Sequence, residues 1–132
     1  MAVSIIRLGT PRSTQEGLRI GTVRRPPRGV PKAEFASQNW YDVWYPNLAP
    51  HADTMKLAQA AQTNHDAVAW AEFLRKFRAE MHEPDASRSL DLLAALSHHA
   101  HFSIGCYCAD EAHCHRSLLR ELLSERGALI AK

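Results

Sequence analysis

With 132 residues, 45% of them hydrophobic and 23% charged, the chain has the composition of an ordinary soluble globular protein and the length of one domain, 1–132, able to form a core without disulfides. No stretch is apolar over the roughly 20 residues that a membrane helix needs, and the opening MAVSIIRLGT lacks the basic flank, apolar core and cleavage site of a secretory signal, so a cytoplasmic address with no membrane partner is expected. The net charge of +2 hides an asymmetry, because residues 7–32 carry seven basic side chains against Glu16 alone and leave the remainder acidic. A basic segment of this kind meets a phosphate, a nucleic acid or the protein's own acidic surface.

Val3 to Leu8 is apolar on both faces except at Ser4 and Arg7, the pattern of an interior strand of a parallel sheet, and Gly9-Thr10-Pro11 ends it. Arg12 to Pro31 mixes arginine, glycine and proline and leaves room for one short strand around Leu18 to Val23. Pro26, Pro27 and Pro31 exclude helix there and hold Arg28-Gly29 on a semi-rigid extended loop. A loop of this length in a small domain is functional or disordered. Asn39 to Tyr45 reads as a second strand closed by Pro46, with Asp42 as its one charge, either paired with an arginine of the 24–28 loop or turned to water.

Asp53 or Thr54 can cap a short helix through Ala61, and Asn64 or Asp66 a longer one whose inward stripe is Val68, Trp70, Phe73, Leu74, Phe77 and Met81. Pro84 breaks that helix. Asp85 or Ser87 caps the next, with Leu90, Leu93, Ala94, Leu96 and Ser97 facing inward as far as His98. His98, His99 and His101 sit where cationic side chains favour a helix C-terminus. Phe102 to Tyr107 has the make-up of a short buried strand, and the last helix carries Leu118, Leu119, Leu122 and Leu123 before Gly127 stops it. Ala128 to Ala131 can add a final short strand. Strands separated by helical crossovers give an α/β domain with a small, mainly parallel sheet flanked by helices on both faces, in three layers. Ligands of such folds lie beyond the C-terminal ends of the strands, so the segments after Leu8, Tyr45 and Tyr107 should converge.

The chemistry concentrates in residues 102–120, FSIGCYCADEAHCHRSLLR, where a helix expected to start near Asp110 to His113 opens on Cys114-His115-Arg116. Free N–H groups at that helix start favour a bound anion or a thiolate. Cys106, Cys108, Cys114 and His115 match a Cys3His zinc set in number, but Cys106 and Cys108, two apart in a strand, hold their sulfurs roughly 6–7 Å apart. Zinc or another transition metal would require the strand to bend. As a nucleophile, Cys108 or Cys114 has Arg116 and a neighbouring histidine beside it, although Cys114 also falls on the stripe of Leu118 and Leu122 and can be core. Cys108 to Arg116 is not the Cys-x5-Arg spacing of tyrosine-phosphatase loops. Glu80 and Glu83 offer carboxylates, and no GxGxxG, Walker, HExxH or GxSxG motif is present.

Arg24-Arg25-Pro26-Pro27-Arg28-Gly29-Val30, Asp42 with Trp44, Leu48-Ala49-Pro50, the Trp70 to Glu80 helix and Gly105-Cys-Tyr-Cys followed by Cys114-His-Arg-Ser117, in that order and spacing, resemble the domain-of-unknown-function 488 family, the YeaO-like proteins. The resemblance spans nearly the full chain and implies a small cytoplasmic α/β protein of bacteria or archaea, with no settled activity to carry over. The YeaO branch has Trp-Pro-Arg-Gly where this chain has Pro26-Pro27-Arg28-Gly29, and often Asn-His at Cys114-His115, so the resemblance favours His115 and Arg28 over Cys114 for a shared role.

The leading expectation is a cleft for an anionic small molecule, such as a phosphate or nucleotide. Arg24, Arg25, Arg28, Gly29, Asp42, Arg116 and Ser117 would bind, with Arg28 and Arg116 clamping the anion, and His115, Cys108 and Cys114 would be the candidate catalytic groups. The alternatives are a metal-binding protein using Cys106, Cys108, Cys114 and His115, or a nucleic-acid-binding module that stacks bases on Trp40, Tyr41, Trp44 and Tyr45.

Overall fold

The computed structural model describes residues 1–131. Strands β1 (Val3–Arg7), β2 (Leu18–Gly21), β3 (Val43–Trp44) and β4 (Phe102–Cys106) form one sheet in the order β1-β4-β2-β3, with every pairing parallel. Between β3 and β4 run helices α1 (Ala52–Asn64), α2 (Ala67–Glu80) and α3 (Pro84–Leu96), and α4 (His115–Glu125) follows β4. β4 holds the centre, and all five of its residues are buried, as a strand with neighbours on both edges and layers on both faces must be. β1 is not interior by the strand order, yet the outer edge at its start is met by the chain end: Val3 donates to the Leu129 carbonyl and pairs with Ile130 in a parallel bridge.

Each face of the sheet is covered by different material. Val3, Ile20, Phe102 and Ile104 form one core with Ala58, Phe73, Phe77, Leu90, Leu118, Leu119, Leu122 and Leu123, so all four α-helices belong to that side. On the other side the chain between β2 and β3 folds back, with only a single 3-10 turn at Lys32–Glu34, and Tyr41 lies over Gly21 so closely that a Cβ there would stand 2.4 Å from the ring. The third layer is therefore loop and aromatic rings rather than α-helix.

The expected strand over Asn39 to Tyr45 shrinks to Val43–Trp44, because Asn39 takes a left-handed conformation (φ 65°) and Tyr41 turns inward to cover the sheet. Asp42 does not meet the 24–28 loop. Its carboxylate accepts both arms of Arg12 at 2.9 and 3.1 Å and the backbone N–H of Arg19 at 2.8 Å. Burial pulls the Asp42 carboxyl upward, but the Arg12 hydrogen bonds, the Arg19 N–H and the two positive charges outweigh it and hold it below the usual range. A folded-state pKa below the unfolded one gives stability that is present above about pH 4 and is lost as pH falls through the lowered value. Urea unfolding across that acid window should show a shallower loss for Asp42→Asn than for the native chain; identical slopes would show that the pair contributes nothing.

Helix boundaries follow local chemistry. Asp66 accepts from the N–H groups of Val68 and Ala69 and starts α2, which leaves Val68 in the first turn at 81% exposed instead of on the inward stripe. Pro84 occupies the first turn of α3, where its fixed φ and missing N–H do no harm, so Glu83 rather than Asp85 or Ser87 precedes the helix. α1 starts at Ala52, ahead of Asp53. Its entry is held by Glu80, whose carboxylate accepts from the His51 N–H and the Thr54 hydroxyl, so Glu80 is a helix cap and not a free acid or base. His98 bonds the Gly127 carbonyl at 2.8 Å and ties the end of α3 to the end of α4.

Candidate functional site

The ends of β1, β2 and β4, all parallel, deliver their following residues to one side of the sheet. There they line a cleft of about 1160 Å3. β1 contributes Arg7 and the Leu8 to Thr10 turn, and β2 contributes Val23 to Arg28. Cys106, Tyr107 and Cys108 come from β4, Met55, Lys56 and Gln59 from α1, and His115 from the start of α4. The convergence is a property of the fold, since a parallel sheet places every strand's C-terminal end on the same edge.

The stiff loop is fixed at both sides. Arg24 donates from Nε to the Pro50 carbonyl at 3.0 Å and from a terminal nitrogen to Ala49 at 2.9 Å, and the Tyr107 hydroxyl donates to the Arg25 carbonyl at 2.9 Å. Arg25 and Arg28 then stand exposed at the rim. Among the described residues five cationic side chains line the cleft, Arg7, Arg24, Arg25, Arg28 and Lys56, and no carboxylate does. Among the described residues none of the five takes part in an ion pair, whereas Arg12, Arg19, Arg75, Arg78, Arg120 and Arg126 each do.

At the floor the chain makes a tight arrangement of sulfur and imidazole. Asp110 caps a 3-10 turn, Glu111–His113, and Cys114 in extended conformation is the residue from which α4 departs, so the α-helix starts two to five residues later than its expected beginning. This aims Cys114 at Cys106, and their sulfurs are in direct contact with the Cα atoms 7.9 Å apart. That span exceeds the roughly 4.4–6.8 Å over which disulfides close, so the pair is brought together without the backbone spacing of a relaxed disulfide.

His115 is buried, stands edge-on to Phe77, and donates from Nε2 to the Thr22 carbonyl at 2.7 Å. A carbonyl can only accept, so Nε2 carries the proton and Nδ1 presents its lone pair, 3.9 Å from the Cys114 sulfur. Burial lowers the imidazole pKa to about 4; the Thr22 contact opposes this, while the charges of Arg116 and Arg24 add to it. At neutral pH His115 is therefore uncharged. Cys108 is only partly buried, and its desolvation raises its pKa more than the nearby Arg116 and Arg7 charges lower it, so it stays a thiol at neutral pH.

Cys106, Cys108, His115, Arg24, Arg25 and Arg28 thus share one cleft, with Cys114 against its floor. Arg116 does not join them. It is buried and donates to the carbonyls of Cys108 at 2.8 Å and Ala109 at 3.4 Å, holding the turn after β4 instead of facing a ligand. Ser117 donates to the Cys114 carbonyl, and Gly29 and Asp42 lie outside the lining. Arg7 and Lys56 were not among the expected residues. Arg7 had a signal, as the last residue of a parallel strand, but Lys56 has none in the sequence because only the packing of α1 brings it to the rim.

Residues 3–127 match a family model described as the active DUF488-N3 subclade, DUF488-N3a. The chain belongs to the DUF488 family. No curated protein and no solved structure matches significantly. The resemblance read from the arginine loop and the Cys-His-Arg segment therefore holds for nearly the whole of this DUF488 chain, and the parallel sheet shows the α/β architecture expected with it. Among the described residues of this DUF488 chain no helix is long and apolar enough to cross a membrane.

Proposed function

We propose that the cleft binds a phosphate-bearing small molecule in the cytoplasm, with Arg7, Arg24, Arg25, Arg28 and Lys56 as the anion-holding groups. The observation that carries this reading is the set of five cations with no acidic partner among the described residues, on a chain that pairs six of its other arginines with carboxylates. Clustered like charges repel, and an anion relieves that repulsion while charge-assisted hydrogen bonds hold it in place. Trp40, Tyr107, Val23 and Met55 line the same space, so the cleft suits an anion that carries a ring or apolar portion, a nucleotide better than inorganic phosphate. The description of the subclade as active supports a reaction in this cleft, where the neutral His115 presents a bare Nδ1 at the floor.

A thermal-shift screen of nucleotides and sugar phosphates tests the reading. A ligand at one hundred times its dissociation constant should add about 2.7 kcal/mol of stability. Arg28→Ala should weaken the best ligand by about 1.5–3 kcal/mol, the scale of a hydrogen bond to a charged group. If no anion shifts the melting temperature, or if Arg25→Ala and Arg28→Ala both bind as the native chain does, the reading fails.

A further inference from the structure

The sulfur and imidazole groups at the floor are not needed to hold an anion, and their arrangement has its own logic. One ligand atom from each of Cys106, Cys114 and His115 lies within 4.8 Å of the others, and all three residues are buried. Two sulfurs bound to a tetrahedral zinc, with bonds of about 2.3 Å, stand about 3.8 Å apart, so the Cys106 and Cys114 sulfurs, in contact here, must separate to admit an ion between them. The 7.9 Å between their Cα atoms, beyond the roughly 4.4–6.8 Å of a disulfide, leaves room for that separation without moving the backbone. His115 is prepared in the way that histidine ligands are. Its Nε2–H is fixed on the Thr22 carbonyl, which sets the tautomer and turns the Nδ1 lone pair toward Cys114.

We propose that Cys106, Cys114 and His115 form a zinc site at the floor of the cleft, with the fourth coordination position open to the cleft. Two thiolates and one imidazole are a zinc donor set of the kind that leaves one position for water or a ligand. Cys106 and His115 both line the cleft, so the open side faces its cationic rim. Two thiolates balance the ion's double charge, and the start of α4 just beyond Cys114 favours the thiolate form. Cys108, which by number belonged to the expected ligand set, lies outside the cluster.

Cobalt(II) is the probe, added to the full chain reduced and freed of metal, with zinc competing against a chromophoric chelator to give affinity. The expected result is one ion per chain, with thiolate-to-cobalt charge-transfer bands and the strong visible absorption of a four-coordinate ion. Cys106→Ser and Cys114→Ser should each weaken zinc by more than the about 10–100-fold that loss of an outer partner causes, while Cys108→Ser leaves affinity and spectrum unchanged. In the zinc-loaded chain one thiol should react with a thiol reagent, and three after chelation and unfolding. Because the serine variants can fail to fold, the thiol count on the native chain decides independently. The proposal is overturned by a reduced chain that binds no stoichiometric ion, by three reactive thiols in the presence of zinc, or by a cobalt spectrum without thiolate bands.

Discussion

Arg19→Ala is expected to lower the stability of the domain by about 3–5 kcal/mol, the effect of removing one member of a buried ion pair. Arg19 is fully buried on the loop-covered face of the sheet, where Nε and a terminal nitrogen grip Glu16 at 3.0 and 2.8 Å. Its other donors reach the carbonyls of Asn39 at 2.6 Å and Pro11 at 3.2 Å. Truncation leaves the Pro11 carbonyl without its guanidinium donor, leaves Asn39 and Glu16 with only the backbone N–H groups of Gly9 and Ser13, and loosens the 10–17 and 39–42 segments over β2 together. Lysine keeps the charge but not the planar fork, so Arg19→Lys should recover only part of the loss. Urea unfolding of the two variants measures it, and a loss below about 1 kcal/mol for alanine would mean that the network is incidental. The basic first quarter of the chain is thereby divided: Arg12 and Arg19 build the fold, and Arg7, Arg24, Arg25 and Arg28 line the cleft.

Gly17→Ala should be of comparable size. Gly17 has φ +62° just before β2, and a Cβ there would fall 2.0 Å from the backbone oxygen of His101 and 3.3 Å from the nitrogen of Phe102. Neither atom can step aside as a side chain would, because both belong to the entry of the central strand. The left-handed conformation costs a non-glycine residue about 1–3 kcal/mol, and forced displacement in a packed region about 1–3 kcal/mol more, so the sum rivals the Arg19 effect. The melting temperature should fall by about ten degrees or more, at about 3–5 °C per kcal/mol for a domain of intermediate size. A variant that melts with the native chain would show that β2 approaches β4 less closely than described. Gly29 makes the contrast, since its added Cβ meets nothing within 4 Å and only the positive φ resists it.

What the sequence made legible was whatever rests on local pattern. The leucine stripe of the last helix, the Asp66 cap, the terminal Gly127 and the buried character of Phe102 to Cys106 all follow from side-chain spacing, and all stand in the structure. The parallel sheet also followed, from crossovers too long for hairpins, and with it the meeting of Arg28 and His115 in one cleft. Long-range pairings were not legible. Arg12 and not the 24–28 loop meets Asp42, since arginines thirty and fourteen residues away look alike until the chain is folded. Arg116 reads as a ligand clamp by its neighbours but is turned to carbonyls two and three residues past β4 by the late start of α4. The same late start brings Cys114, and not Cys108, to Cys106, which no rule of strand spacing could reveal.

Whether the rim cations act as a ligand site is tested most directly by a calorimetric titration of pyrophosphate into the native chain and into Arg25→Glu/Arg28→Glu. Both arginines are exposed and form no ion pair among the described residues, so reversal should leave the fold and its melting temperature intact. Binding to the native chain should weaken as salt is raised through the screening range, with at least about a tenfold loss, or 1.4 kcal/mol, on charge reversal. Equal affinity in the two proteins, or no heat with either while both are folded, would contradict a ligand role for these cations.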